Sequence, residues 1–364
     1  FPDGVFVPGV TDFNGKTYTI PITSNKRYGT HLLYNVDYMQ EAGYDPAEKP
    51  LTWDEFRAAA KKATEQGAGQ YYGFIIGGNQ VNRWGNIVEN FARMAGASSL
   101  NGIDPLTGEY NYTDDRYVAA IELLLAMRDD GSFFPGVMSM NAPQARAMMP
   151  QGAAAMILQG PWNIPIWQRE NPDFNFNVSS QPLIDENTMV PLSVGPGGSN
   201  QLYIYANAPD ANKTVAGDIL WYMGTLDGQK EWANIVGAAD GPLFPEALEG
   251  AQLSEVALRA LKMFNEQVRV GPSPLVRNPE LVQVQLELRP VEPNLAQVVQ
   301  GLYTGQIDNP AAQLKDLKDR SEAELDRAIA AAREKGANVS RDDYVFPNFD
   351  PFVDYGADKY EELS

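Results

Sequence analysis

Apolar positions along the chain switch repeatedly between a period of two and a period near 3.6, which predicts strands alternating with amphipathic helices. Lys16-Thr-Tyr-Thr-Ile-Pro-Ile22 alternates like a strand, with Pro21 marking an edge or a strand end. Thr30 to Asn35, Tyr71 to Ile76, Phe174 to Ser179 and Gln201 to Tyr205 read as further strands. Thr52-Trp-Asp-Glu55 is a capping box, in which Thr52 accepts from the N–H three residues on and Glu55 reaches back. It opens a helix to about Gln66, with Phe56, Ala59, Ala60 and Ala63 on one face. Arg83 to Ala95 reads as a helix with Trp84, Ile87, Val88, Phe91 and Met94 along one side. Tyr117 to Met127, started from Thr113 and stopped by Gly131, and the shorter Ala142 to Met149 read as two more. Asp210 is placed to cap a helix running to Met223, and Asp227 to start another that carries Trp232. From about Leu253 the pattern is nearly all helical. Glu280 to Gln300 is interrupted at Pro290 and Pro293, and a last helix starts at a second capping box, Ser321-Glu-Ala-Glu324. The tail from Tyr344 to Ser364 is aromatic, acidic and aperiodic: it packs across the body or remains a loose end.

The stretch with the sharpest local meaning is Gln151-Gly-Ala-Ala-Ala-Met-Ile-Leu-Gln-Gly160, followed by Pro161-Trp-Asn-Ile164. Small residues and a short apolar run make a buried strand, and Gly-Pro stops it. A Trp just past a buried strand points from the rim of a sheet into the crevice where open α/β sheets take ligands. Its indole is a flat apolar platform with one N–H donor, suited to stacking on a sugar ring. The alternative is that Trp162 caps the core.

Composition narrows the function. At 364 residues the chain suits two lobes rather than one domain, and 44% hydrophobic content supplies ample cores. No apolar run is long enough to span a membrane. Forty-seven acidic against twenty-eight basic residues give a net charge of −19 with no basic stripe, which argues against a nucleic-acid partner. Cysteine is absent and histidine occurs once, at His31, so a Cys/His metal site lacks ligands and His31 is expected to be structural. A Ser-His-Asp triad would need that same histidine, and no G-x-S-x-G elbow accompanies it. The lack of disulfides fits a reducing compartment or an extracytoplasmic bacterial one.

Four segments, in order, carry a family resemblance. Asp12-Phe-Asn-Gly-Lys-Thr-Tyr-Thr-Ile-Pro21, with Leu33-Tyr-Asn-Val-Asp-Tyr38, is the first. Ala42-Gly-Tyr-Asp-Pro46 with Leu51-Thr-Trp-Asp-Glu-Phe56 is the second. Gln151-Gly-Ala-Ala-Ala-Met156 with Gly160-Pro-Trp-Asn163 is the third, with an alanine where the group often has lysine. Gly197-Gly-Ser199 with Leu226-Asp-Gly-Gln-Lys-Glu-Trp232 is the fourth. Together they resemble the carbohydrate-binding, maltose-binding-protein-like group of extracellular solute-binding proteins of ABC importers, over residues 1 to about 335. The resemblance implies an α/β, two-lobed fold with hinge strands and an inter-lobe cleft.

It further implies a monomer that binds a sugar or oligosaccharide outside the cytoplasm, delivers it to ABC permease subunits, and needs neither cofactor nor metal. Residues 1–22 plus 199–243 would form lobe I and 25–195 plus 246–335 lobe II, with 336–364 a C-terminal tail. The chain would cross between lobes near Ile22–Asn25, Gly195–Ser199 and Pro242–Pro245. Eleven residues precede Asp12, with no signal peptide or lipid-attachment cysteine, where the group carries a longer segment; lobe I is expected to be partial, its N-terminal strands absent or replaced. Trp162 is carried over as the stacking platform and Trp84 as a second cleft aromatic, the alternative for Trp84 being core packing. Asn25, Arg27 and Tyr28 follow the first crossing and would bond hydroxyls. Gly197, Gly198 and Ser199 would allow hinge angles and close approach of ligand to backbone, or simply form a surface turn. Arg277, in a Pro-flanked loop, is a further candidate or a solvated charge.

Other readings remain open. The same fold binds polyamines, peptides or iron in other members, and aromatics with acids also suit cations. Tyr71-Tyr72 is an adjacent tyrosine pair of the kind iron binders use, but strand alternation would point the two to opposite faces. A glycoside hydrolase would need a carboxylate pair, which no motif marks.

Overall fold

The computed structural model describes residues 1, 4–27, 30–236 and 241–363. A small hairpin, β1 (Asp12–Phe13) and β2 (Lys16–Thr17), leads into β3 (Ile20–Thr23). The single strand predicted over 16–22 is thus two pieces separated by two residues. β4 (His31–Asn35) runs straight into α1 (Val36–Ala42), because the Asn35 side chain accepts from the Tyr38 N–H and caps it. α2 (Trp53–Gly67) opens on the predicted capping box, with both reciprocal bonds formed. β5 (Tyr72–Ile75), α3 (Asn82–Met94) and α4 (Asp115–Asp129) follow, the last capped by Asp114 rather than Thr113. α5 (Ala142–Met148) precedes β6 (Ala154–Gln159), which Gly160-Pro161 ends before α6 (Asn163–Glu170).

β7 (Phe176–Ser179), β8 (Leu192–Val194) and β9 (Ser199–Leu202) complete the first half. β9 ends before the predicted Tyr203–Tyr205, whose side chains are exposed. α7 (Asp210–Met223) and α8 (Leu226–Val236) come next; Asp210 is the first helical residue, not a cap. α9 (Glu255–Gln267) passes into β10 (Val268–Val270), a strand with too few residues to show a period. α10 (Pro274–Arg277), α11 (Leu281–Glu287) and α12 (Leu295–Thr304) are short, with Pro290 and Pro293 lying in the break. α13 runs Pro310–Glu334 without interruption, so the Ser321 capping box is not a start: Asn309 caps the helix and Ser321 is buried within it. The helical pattern continued upstream of Ser321, and that continuity decides. α14 (Ala357–Glu361) lies in the tail.

The main body is a four-stranded mixed sheet in the order β5-β6-β4-β7, parallel at β5–β6 and antiparallel elsewhere. β6, buried at all six positions, is its centre, which explains why its sequence is a continuous apolar run rather than an alternation. One cluster of buried side chains joins this sheet to α2, α3, α4, α9 and α12, and a satellite cluster joins α11 and α13. The second body is slight: among the described residues β3 pairs only with β9, α7 packs on α8, and Gln229 of α8 bonds to Ile22 O of β3. Of the apolar residues in those two helices, Leu220 and Ala233 are buried, whereas Val215, Ile219, Trp221 and Ile235 are more than half exposed.

The three segments expected to cross between bodies lie side by side. Thr23 is paired with Ser199 in the β3–β9 ladder, Asn25 Nδ2 donates to Gly195 O at 2.9 Å, and Ser24 N donates to Gly241 O at 2.9 Å. Buried Gln229 binds two of them, donating to Ile22 O at 3.1 Å and accepting from Leu243 N at 2.7 Å. The tail is not loose. Tyr355 N donates to Val270 O at 2.8 Å, Asp354 accepts from Val270 N and pairs with Lys26, and Phe346, Tyr355 and Tyr360 pack edge to face.

Candidate functional site

Trp162 sits where β6 stops, at the start of α6, and its indole is half-buried. The indole lies across Gly160: a Cβ on that residue would overlap the six-membered ring, so only glycine lets the ring settle there. The Arg27 guanidinium lies 5.9 Å from the ring centroid, within cation–π range. The segment after β3 therefore reaches the end of β6, where an aromatic plane and a cation meet.

Three buried amide side chains lie near the ends of the strands. Asn163 Nδ2 donates to Gly160 O at 2.8 Å, while its Oδ1, fully buried, has no partner. Gln159, the last residue of β6, likewise buries an unpartnered Oε1, and Gln181, just past β7, buries both polar atoms of its amide. Native interiors rarely leave such atoms unpaired. Gln159, Asn163 and Gln181 bring four of them to the ends of β6 and β7, three acceptors and the Gln181 Nε2 donor. None carried a sequence signal, since an amide within an apolar run reads as a solvated strand end.

Other predicted residues fall elsewhere. Trp84 is fully buried; its Nε1 donates to Gly78 O at 3.0 Å and its ring lies 4.2 Å from that of Tyr303, so the core-packing alternative is the arrangement observed. Arg277 is not a solvated loop charge: it ends α10, donates to Val345 O and lies 5.5 Å from the Phe346 ring, fastening the tail. Gly197 and Gly198 have φ of 94° and 72°, in the region that favours glycine, and lie against Val10 and Pro21 in the turn into β9. Ser199 begins β9 opposite Thr23. Tyr28 lies outside the described residues. Of the predicted residues, Arg27 is thus brought to Trp162, and Asn25, two residues before it, bonds to Gly195 O.

His31, paired in register with Gln159, is fully buried with its ring 4.8 Å from that of Phe264. Burial pushes its pKa down to about 3, so it is neutral at physiological pH. No group of three or more His, Cys, Asp or Glu suited to a metal ion occurs among the described residues. A surface groove of about 550 Å³ between the Pro46–Pro50 loop and α9 shares none of the candidate residues.

With this geometry in view, the chain belongs to the bacterial extracellular solute-binding proteins, whose family model matches residues 2–260. Relatives are more particular. The chain is 25% identical over 316 residues to the sn-glycerol-3-phosphate-binding periplasmic protein UgpB of Pectobacterium atrosepticum, covering 79% of this chain and 66% of that protein. It is 27% identical over 241 residues to UgpB of Yersinia pestis, covering 64% and 52%. The chain thus spans half to two thirds of the curated relatives it matches. In fold it is similar to a solute-binding protein of Thermotoga lettingae bound to α-D-tagatose, with TM-score 0.62 and 21% identity over 87% of this chain and 74% of that one. It is also similar to the acarbose-binding GacH receptor of Streptomyces glaucescens, with TM-score 0.64 and 17% identity over 90% and 76%. The architecture is the two-lobed, hinged α/β fold of this class.

Proposed function

We propose that the chain is the receptor of an ABC importer that binds a sugar, oligosaccharide or related polyol between its two bodies, without catalysis, and presents it to a membrane permease. The observation that carries this is the half-buried Trp162 indole at the end of β6, with the Arg27 guanidinium 5.9 Å from its ring. An aromatic plane with a guanidinium beside it complements a hydroxylated ring: the apolar face stacks and the hydroxyls accept from the cation. Tagatose, acarbose and glycerol phosphate in the names of similar proteins support a hydroxylated solute. Inter-body clefts are preferred ligand sites, and closure about the crossings would bury the solute. The working place is outside the cytoplasm, as for the family.

The test is a thermal melt of the chain against sugars, polyols, polyamines and ferric ion. A ligand at a hundred times its dissociation constant adds about 2.7 kcal/mol, a readable shift. A shift with one sugar or polyol class supports the reading; a shift confined to polyamine or iron overturns the ligand class. Trp162→Ala is expected to weaken sugar binding by about thirtyfold, near 2 kcal/mol, while the melt without ligand stays in place. Unchanged affinity would remove Trp162 from the site.

A further inference from the structure

Among the described residues, every other half-buried arginine donates to a carbonyl or carboxylate, or lies against an aromatic ring. Arg83 and Arg146 do neither, though both are half-buried in a chain with nineteen excess negative charges. Their placement is fixed by the fold. The Gly77–Gln80 loop, which follows β5, is clamped to the segment before α5: Gly78 N donates to Val137 O, Asn79 N to Met140 O, and Gln80 Oε1 accepts from Ala142 N at 2.8 Å. A Cβ on Gly77 would overlap the start of α5, so the two segments touch backbone to backbone. This brings the first turn of α3, with Arg83, beside α5, with Arg146. The β5–β6 register, Ile75 opposite Ile157, sets that loop level with Gln159 and Gly160. On the other flank, Trp167 Nε1 donates to Arg146 O at 3.1 Å, five residues along α6 from Trp162. The arginines therefore stand at the same end of the sheet as the indole.

Two guanidinium groups shielded from water without a carboxylate are costly unless an anion joins them. Burial and then the like charge of Arg146 hold the Arg83 pKa below the ordinary guanidinium value, and no carboxylate counteracts them. Guanidinium forks match oxyanions in bidentate geometry. We propose that Arg83 and Arg146 form an anion subsite that receives a phosphate or carboxylate carried by the bound solute. This rests on the receptor reading and narrows it to acidic sugars or polyols.

Calorimetric titration of the chain with inorganic phosphate, at low salt, tests it. Binding to the parent, weakened at least tenfold in Arg83→Gln/Arg146→Gln and retained in Trp162→Ala, is the expected result. Equal affinity in the parent and the double variant, or binding of neither phosphate nor acetate to the parent, overturns the subsite. Should the double variant melt early, Arg83→Lys serves instead: it keeps the charge but loses the fork, and is expected to bind phosphate more weakly than the parent, equal affinity again counting against the subsite. Acetate, titrated the same way, distinguishes phosphate from carboxylate as the source. Sugars that bind while neither phosphate nor acetate does would defeat this inference and leave the receptor reading standing. Phosphate binding with no response to any sugar or polyol would do the reverse.

Discussion

His31 shows how one buried side chain ties stability to acidity. It is the chain's sole histidine, and its folded pKa of about 3 lies below the unfolded value near 6.5. Between those values the unfolded chain takes up a proton that the folded one refuses. Stability is therefore nearly full above about pH 7.5 and falls as the pH drops, on average by about 0.8 kcal/mol per pH unit between about pH 7 and about pH 5.5. Urea denaturation from about pH 7 to about pH 5.5 is expected to show that slope, and His31→Gln to flatten it whatever its effect on absolute stability. A slope unchanged in the variant would assign the effect to other groups. At this scale the sequence was partly legible. The structural role of His31 and the position of Trp162 followed from its sole occurrence and from the Gly-Pro stop. Trp84 was ambiguous because an indole on an apolar helix face reads the same whether it lines a cleft or a core. Arg83 and Arg146 were illegible, since a helical arginine announces nothing about its partners.

At the scale of elements, the contact between α2 and β5 is set by Gly73. Its N–H donates to Thr64 Oγ1 at 2.8 Å, and a Cβ there would overlap the Ala60 carbonyl. Gly73→Ala must push the helix off the sheet and is expected to cost about 1–3 kcal/mol. Gly217, inside α7 with open space around it, predicts the opposite sign: alanine there stabilises by about 0.5–1 kcal/mol. Urea midpoints of the two variants, moving in opposite directions, check the pair. The long periodic helices and the apolar strands were readable beforehand, because a period over many residues, or a capping box as at Thr52, is local information. β8 and β10 were not. Three residues each, they exist only because Leu192 and Val268 meet in a parallel register, which no local pattern records. Ser321 misled for the converse reason: a capping motif has meaning only where a helix begins.

At the scale of the whole molecule, the two bodies are unequally clothed. Val215, Ile219 and Tyr222 recur at helical spacing along α7 with 59%, 55% and 40% exposure, and Trp221 and Ile235 reach 73% and 77%. Apolar surface of this extent binds amphiphilic dyes and other chains. The folded protein at neutral pH is expected to enhance anilinonaphthalene sulfonate fluorescence, and Trp221→Lys with Ile235→Lys to reduce it without lowering the melting midpoint. A dark dye with the parent protein would contradict this. The tail carries a different consequence. Asp354 reaches both Val270 and Lys26, the latter 328 residues away in the chain. The ion pair that Lys26 makes just after β3 thus depends on a residue remote in sequence. Loop-closure entropy makes so distant a contact late to form.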